Sequence, residues 1–233
     1  MASSSSAPGV VGVLYVYLAV AFTLMATVFH HRTLRRGHGD YRAFILYFAA
    51  FFGLFMAVPL VIIGLAAPSP GNFLAATGLA AGRVAKGMLL TAVAVPIVLL
   101  ASWIGSRDPV MREQYPFSKE ACAGLKKFVI YEILYLILYY LPWEFLFRGL
   151  LFFPMIQAAG LIPALGLQTI VSTVYHLGHP DSEIFAALAA GIIFGLIAYG
   201  TGSIFYTFVI HALAGIANDS FLYRRYHRPA RVS

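Results

Sequence analysis

Long apolar segments, separated by short polar stretches, run through almost the whole chain. The first covers about residues 10–29, the second about 43–67 and the third about 88–104. About 20 apolar residues in a helix are enough to cross the hydrocarbon core of a bilayer. The pattern therefore predicts a series of membrane-spanning helices.

The fourth apolar segment, about residues 128–157, is too long for a simple span. As one helix its roughly 30 residues would measure about 45 Å, more than the thickness of the hydrocarbon core. Pro142 is expected to kink or break this helix, because proline removes a helical hydrogen bond. A reversal at Pro142 would give eight segments and a kink seven. We favour seven, the last three being about 161–177, 183–199 and 203–222.

The composition is that of an integral membrane protein. Of its residues 61% are hydrophobic and 11% charged, whereas about a quarter are charged in soluble domains. A chain of 233 residues holds about seven such spans, within a range of six to eight, and leaves no room for a soluble domain. We expect an all-α, polytopic membrane helix bundle that forms one domain over residues 1–233. Residues 1–124 would supply the N-terminal spans and cytoplasmic loops, and residues 1–9 are expected to be frayed.

The net charge of +7 is explained by topology rather than by nucleic-acid binding. Basic residues gather in two loops and at the C-terminus, where positive charge marks the cytoplasmic side. These residues are Arg32, Arg35, Arg36 and Arg42, then Arg107, Arg112, Lys119, Lys126 and Lys127, then Arg224, Arg225, Arg228 and Arg231. An arrangement with the N-terminus outside and the C-terminus inside places all of them on one side. We expect a protein of a prokaryotic plasma (inner) membrane that contacts lipids and binds no nucleic acid.

A carboxylate and a guanidinium stand four positions apart in the sequence Pro-Trp-Glu-Phe-Leu-Phe-Arg-Gly of residues 142–149. On a helix Glu144 and Arg148 would share one face and neutralise each other. Ionisable residues at membrane depth are costly, so they indicate a functional site by default. A buried pair that only fixes helix packing is the alternative.

More polar residues fall deep in the predicted bundle or close to it: His176, His179, Glu183, His211, Asn218 and Asp219. A carboxylate with two or three histidines is sufficient to activate water and to stabilise an oxyanion. His211 is the strongest histidine candidate, because it lies well inside a span. His179 is the weakest, because it precedes Pro180 in a predicted loop.

Two other functions fit the same polar residues less well. His176, His179, Glu183 and His211 are possible zinc ligands, but their spacing is not the helical His-Glu-x-x-His signature. We expect no cofactor and keep zinc as an alternative. Buried acids and histidines also form proton relays in small transporters, but the chain lacks the paired inverted repeats typical of that class.

The motif around Glu144, the later His176 and the Val-Ile-His-Ala sequence around His211 resemble those of the CPBP family, the membrane-embedded CAAX proteases and bacteriocin-processing proteins. The resemblance covers about residues 125–222, a CPBP-like catalytic core. It implies a glutamate-dependent intramembrane endopeptidase acting on a membrane-associated or lipidated protein or peptide. In the family the first glutamate of a pair is the expected general base; in this chain Glu144, the second of that pair, or Glu183 would have to take that role. His176 would orient the water or share its proton, His211 would stabilise the oxyanion, and Arg148 would pair with Glu144.

The chain departs from the family pattern at three positions. Trp143 replaces the first glutamate of a pair, Ser172 replaces a phenylalanine four residues before His176, and Gly215 replaces an asparagine four residues after His211. Glu183 is a possible substitute carboxylate and Asn218 a possible substitute amide. An inactive scaffold or immunity protein with the same fold therefore remains the alternative to a peptidase.

Overall fold

A computed structural model describes residues 7–227, which form seven long helices joined by short connections. These are α1 (Ala7–Ala26), α2 (Asp40–Ala66), α3 (Val84–Gly105), α4 (Leu125–Ala159), α5 (Leu161–Val174), α6 (Asp181–Thr201) and α7 (Phe205–Tyr226). Short helices lie in the connections at His31–Leu34, Pro70–Ala76, Pro109–Gln114 and Lys119–Ala123. The described range contains no strand. The predicted all-α fold is confirmed.

Five of these helices, α1, α2, α3, α4 and α6, are long and apolar enough to cross a membrane. The chain is therefore an integral membrane protein. Helix α5 is apolar but has only 14 residues. Helix α7 has 22 residues, but Asn218, Asp219 and two terminal arginines lower its apolar character. The exact number of crossings and the orientation stay predictions.

Some predicted boundaries differ from the structure. Helix α3 begins at Val84, before the predicted apolar segment starts, and is preceded by a short helix that ends at Ala76 and by a turn. Helix α1 already includes Ala7. Residues 1–6 of the predicted frayed segment, and Arg228 and Arg231, lie outside the described residues.

Helix α4 passes through Pro142 without reversing. Its α-helical turn Leu141–Glu144 lies between two π-helical turns, Leu136–Tyr140 and Phe145–Leu151. The Leu141 N–H bonds the Leu136 carbonyl, five residues back. Because the wider turn shifts the hydrogen-bond pattern just before the proline, the N–H that Pro142 lacks does not end the helix. The chain therefore does not reverse at Pro142, and residues Leu125–Ala159 form one helix rather than two segments.

Helix α4 forms the centre of the bundle and helix α3 part of its lipid-facing surface. All seven residues of the second π turn of α4 are buried, whereas α3 exposes Leu89, Val93 and Ile97. Aromatic rings of α2 pack on α4, with Phe48 stacked 4.6 Å from Tyr135. Such aromatic pairs add to the stabilisation from burial alone. Glu132, Glu144 and Arg148 of α4 therefore lie inside the protein.

Helices α5 and α6 approach each other through glycines of α6. A Cβ added at Gly191 would lie 2.9 Å from Thr169 Cγ2, and one at Gly195 would lie 2.5 Å from Leu165 Cδ1. Small residues four apart allow such close contact between helices in lipid. Gly191 and Gly195 therefore serve the packing of α6 against α5.

We predict that Gly191→Ala lowers the melting temperature of the detergent-solubilised protein. The added methyl group meets Thr169 at 2.9 Å, and overpacking of this kind costs about 1–3 kcal/mol. The matched control is Gly166→Ala on α5, where a Cβ meets nothing within 4 Å and alanine is the better helix former. Equal melting temperatures for the two variants would contradict the close contact.

Candidate active site

The predicted pair of Glu144 and Arg148 lies in the middle of α4 and is fully enclosed. Arg148 donates a hydrogen bond from Nη1 to Glu144 Oε1 at 3.2 Å. The Arg148 side chain is 3% exposed and that of Glu144 0%. The guanidinium also lies over the Phe194 ring, with Cζ 5.3 Å from its centroid. Each charge is therefore compensated by the other in an apolar setting.

His211 of α7 completes this first group. Its Nδ1 lies 2.7 Å from Glu144 Oε1. Because a carboxylate only accepts hydrogen bonds, Nδ1 carries the proton and the other ring nitrogen, Nε2, is left to accept or donate. The His211 side chain is 24% exposed, unlike Glu144. His211 can therefore reach a substrate that Glu144 cannot touch.

The pairing leaves two polar atoms of the first group without partners. Glu144 Oε2 and Arg148 Nε are buried and form no hydrogen bond within the described part of the chain. Unpartnered polar atoms at such depth are rare in folded proteins, which marks this pair as a candidate functional site.

A second group forms where α5 ends and α6 begins. Glu183 Oε1 accepts a hydrogen bond from the Tyr115 hydroxyl and lies 2.9 Å from His179 Nδ1. His176 donates from Nδ1 to the Ser172 carbonyl at 2.7 Å. The other ring nitrogen of His176, Nε2, then carries a lone pair and lies 4.0 Å from Glu183 Oε1. The three side chains of His176, His179 and Glu183 are 16–20% exposed.

The electrostatics of the second group follow from burial. Burial lowers the pKa of His176 to about 4, so the imidazole is neutral at pH 7. Burial, followed by the nearby Glu183 charge, raises the pKa of Tyr115 well above its usual value and keeps it a hydrogen-bond donor. The second group therefore contains one neutral base beside one carboxylate.

Trp143 lies between the two groups. Its ring centroid is 5.1 Å from that of His176 and 6.0 Å from that of His211, with edge-to-face geometry in both cases. Because Trp143 is next to Glu144 in sequence and packs against His176, the two groups are close neighbours.

Asn218 belongs to neither group. Its Nδ2 donates to Asp219 Oδ1 at 3.2 Å. Asp219 Oδ2 and both carboxylate oxygens of Glu132 on α4 have no hydrogen-bond partner among the described residues, and all three residues are buried. Among the described residues Asn218 makes no hydrogen bond to His211. Its supporting role beside His211 stays a prediction.

Sequence reasoning missed three features of this region. Glu132 is an acid in an apolar segment, so the rule that selected Glu144 applies to it equally. His179 was ranked lowest for its loop position, yet it contacts Glu183. Tyr115 has no sequence signal, because its contact spans 68 positions.

The Ser172 departure from the family pattern has little effect on this geometry. The Ser172 backbone carbonyl, rather than its side chain, accepts the hydrogen bond from His176. A different side chain at position 172 could preserve that bond. This substitution therefore says little about activity.

The zinc alternative gains no support from the geometry. Within residues 7–227 no three His, Cys, Asp or Glu side chains are arranged to hold a metal ion. His211, one of the four suggested ligands, is instead bonded to Glu144 across the Trp143 ring from His176. That the protein uses no metal stays a prediction.

The fold and the two acid–histidine groups define an integral membrane protein with ionisable side chains gathered among its helices. Residues 126–217 match the family model described as type II CAAX prenyl endopeptidase Rce1-like, which confirms the resemblance to the CPBP family of intramembrane proteases. The matched segment includes five of the predicted site residues, Glu144, Arg148, His176, Glu183 and His211, and ends one residue before Asn218. Neither a curated protein nor a solved structure matches the chain.

We predict that Arg148→Met strongly destabilises the protein. The substitution leaves the buried Glu144 carboxylate without its 3.2 Å partner, and loss of one member of such a pair costs about 3–5 kcal/mol. The double variant Glu144→Gln/Arg148→Met removes both charges and should recover part of the loss. Thermal unfolding in detergent measures both variants. A single variant as stable as the wild type would show that the pair is not needed for the fold.

Proposed function

We propose that this protein is an intramembrane endopeptidase that hydrolyses a peptide bond in a membrane-associated or lipidated protein or peptide. The family match supports the class, a CAAX-type peptidase. The observation that carries the chemistry is the separation of 4.0 Å between His176 Nε2 and Glu183 Oε1. Location in a prokaryotic plasma membrane stays part of the prediction.

These two atoms form a suitable site for the attacking water. Both are hydrogen-bond acceptors, because the only proton of the neutral His176 ring is donated to Ser172. A water with hydrogen bonds of about 2.8 Å can donate one proton to each of two acceptors at this separation. The water oxygen then turns its lone pairs toward a peptide carbonyl, and the released proton passes to His176 or Glu183.

Glu144 suits a different role from that of the direct base. It is 0% exposed, and its Oε1 is shared by Arg148 and His211. A carboxylate in this position holds an imidazole in one orientation and compensates its charge when it is protonated. We infer that Glu144 orients His211, and that protonated His211 donates a hydrogen bond from Nε2 to the developing oxyanion.

One observation favours the alternative of an inactive scaffold. Trp143 stands where the resemblance implies the first glutamate, and its indole fills the space between His176 and His211. If that space were needed by the substrate carbonyl, the fold would remain and catalysis would be lost. Peptide turnover separates the two functions.

We predict that Glu183→Gln lowers kcat at least about 100-fold, the usual lower range for loss of a general base, while KM changes little. Glutamine keeps an acceptor oxygen for Tyr115 but cannot take up a proton. The assay uses protein purified in detergent and a panel of fluorogenic peptides with and without a lipidated cysteine. Asp181→Asn, an exposed acid in the same first turn of α6, is the matched control.

Two results would count against this assignment. Wild-type kcat in Glu183→Gln would remove Glu183 as the base. Absence of turnover by the wild type across the whole peptide panel would favour the scaffold.

We predict that kcat/KM stays high as the pH falls from 7 to about 5. A histidine must be neutral to accept a proton, and burial lowers the pKa of His176 to about 4. The neutral form is therefore lost only as the pH approaches 4, not near the ordinary histidine value of about 6.5. The test is a pH profile of kcat/KM. A fall of the wild-type kcat/KM with a midpoint near pH 6.5, absent in His176→Asn, would show that His176 is not neutral between pH 5 and 6.5.

A further inference from the structure

We propose that the Tyr140 hydroxyl is a second hydrogen-bond donor to the oxyanion, beside His211, in the space left open by Gly215. This inference rests on the peptidase function proposed above. It assigns a catalytic role to a residue outside every predicted motif, and three observations support it.

The first observation is the position of the hydroxyl. Gly215 lies four residues after His211 on α7, so the two positions share a helix face. A Cβ added at Gly215 would overlap the Tyr140 hydroxyl. Any side chain at position 215 would therefore compete with Tyr140 for the same place. The family resemblance implies an asparagine at that position, and here a phenol from α4 takes its place.

The second observation is the rigid packing of Tyr140. Its ring lies edge-to-face on His211 with the centroids 5.0 Å apart. The Tyr135 ring also packs against it, with the centroids 4.4 Å apart, and Tyr140 is only 4% exposed. A donor held in place before the reaction stabilises a developing charge without any cost of reorientation.

The third observation is that the phenol proton is available. No hydrogen bond of 3.5 Å or shorter joins the Tyr140 hydroxyl to another described residue. A phenol oxygen can accept one hydrogen bond and donate another. The Tyr140 proton is therefore left for an acceptor beside His211.

The reaction step balances as follows. The water oxygen forms a bond to the peptide carbonyl carbon, and the π electrons of the carbonyl move to its oxygen. One water proton passes to His176 or Glu183, and the oxyanion accepts hydrogen bonds from Tyr140 Oη and His211 Nε2. Collapse of the tetrahedral intermediate re-forms the carbonyl and breaks the C–N bond. The leaving nitrogen takes the proton held by His176 or Glu183, and the Tyr140 hydroxyl keeps its proton throughout.

The test is Tyr140→Phe, which removes only the hydroxyl and keeps the ring packing. We expect kcat to fall about 100-fold, as for loss of one oxyanion donor, with KM and melting temperature nearly unchanged. Binding of a peptide aldehyde, whose hydrate resembles the tetrahedral intermediate, should weaken by a similar factor. The matched control is Tyr131→Phe on the same helix, whose hydroxyl is buried with no partner among the described residues; its kcat should remain that of the wild type.

A relocation variant separates catalysis from packing. Tyr140→Ala clears the space, and Tyr140→Ala/Gly215→Asn then places an amide donor on α7 in that space. Higher kcat in the double variant than in Tyr140→Ala supports a donor role, whereas a purely structural tyrosine would not be replaced by asparagine. Wild-type kcat in Tyr140→Phe overturns the Tyr140 assignment alone. A wild type that cleaves no peptide overturns the peptidase function and this assignment together.

Discussion

The pairing of two opposite charges inside an apolar bundle constrains the rest of this structure. Neither Glu144 nor Arg148 could remain charged alone at membrane depth, and both are almost completely enclosed. The helix that carries them must therefore lie in the interior, as α4 does. His211 bonds the same carboxylate oxygen, which requires α7 to pack beside α4. The polar character of α7 follows from that position.

The two π turns of α4 determine which neighbour each of its polar residues meets. Successive residues on a helix point about 100° apart, so Trp143 and Glu144 face adjacent sectors of the bundle. Trp143 meets His176 after α5, and Glu144 meets His211 of α7. One helical turn thus contacts both acid–histidine groups. Wide turns of this kind are frequent at functional sites, because they redirect side chains without ending the helix.

Sequence patterns predict the parts of this molecule that depend on local spacing. Apolar length identifies the five helices that are able to cross a membrane, and the four-residue spacing predicts the pairing of Glu144 with Arg148. The contact of Tyr115 with Glu183 and the approach of Tyr140 to Gly215 join segments more than 60 positions apart. Loop conformation and helix rotation decide such contacts, and neither leaves a periodic signal. Glu132 is different, since an acid in an apolar segment was visible in the sequence.

The two carboxylates differ in what their surroundings allow them to do. A general base must gain and lose a proton in each cycle, so its partners must tolerate both charge states. Glu144 is held against a guanidinium, and its protonation would leave that buried cation uncompensated. Glu183 is bonded to a phenol, lies near the neutral imidazole of His176 and is partly exposed. Different environments assign different roles to chemically identical groups. In the proposed reaction Glu144 therefore fixes the orientation of His211, while Glu183 takes part in proton transfer.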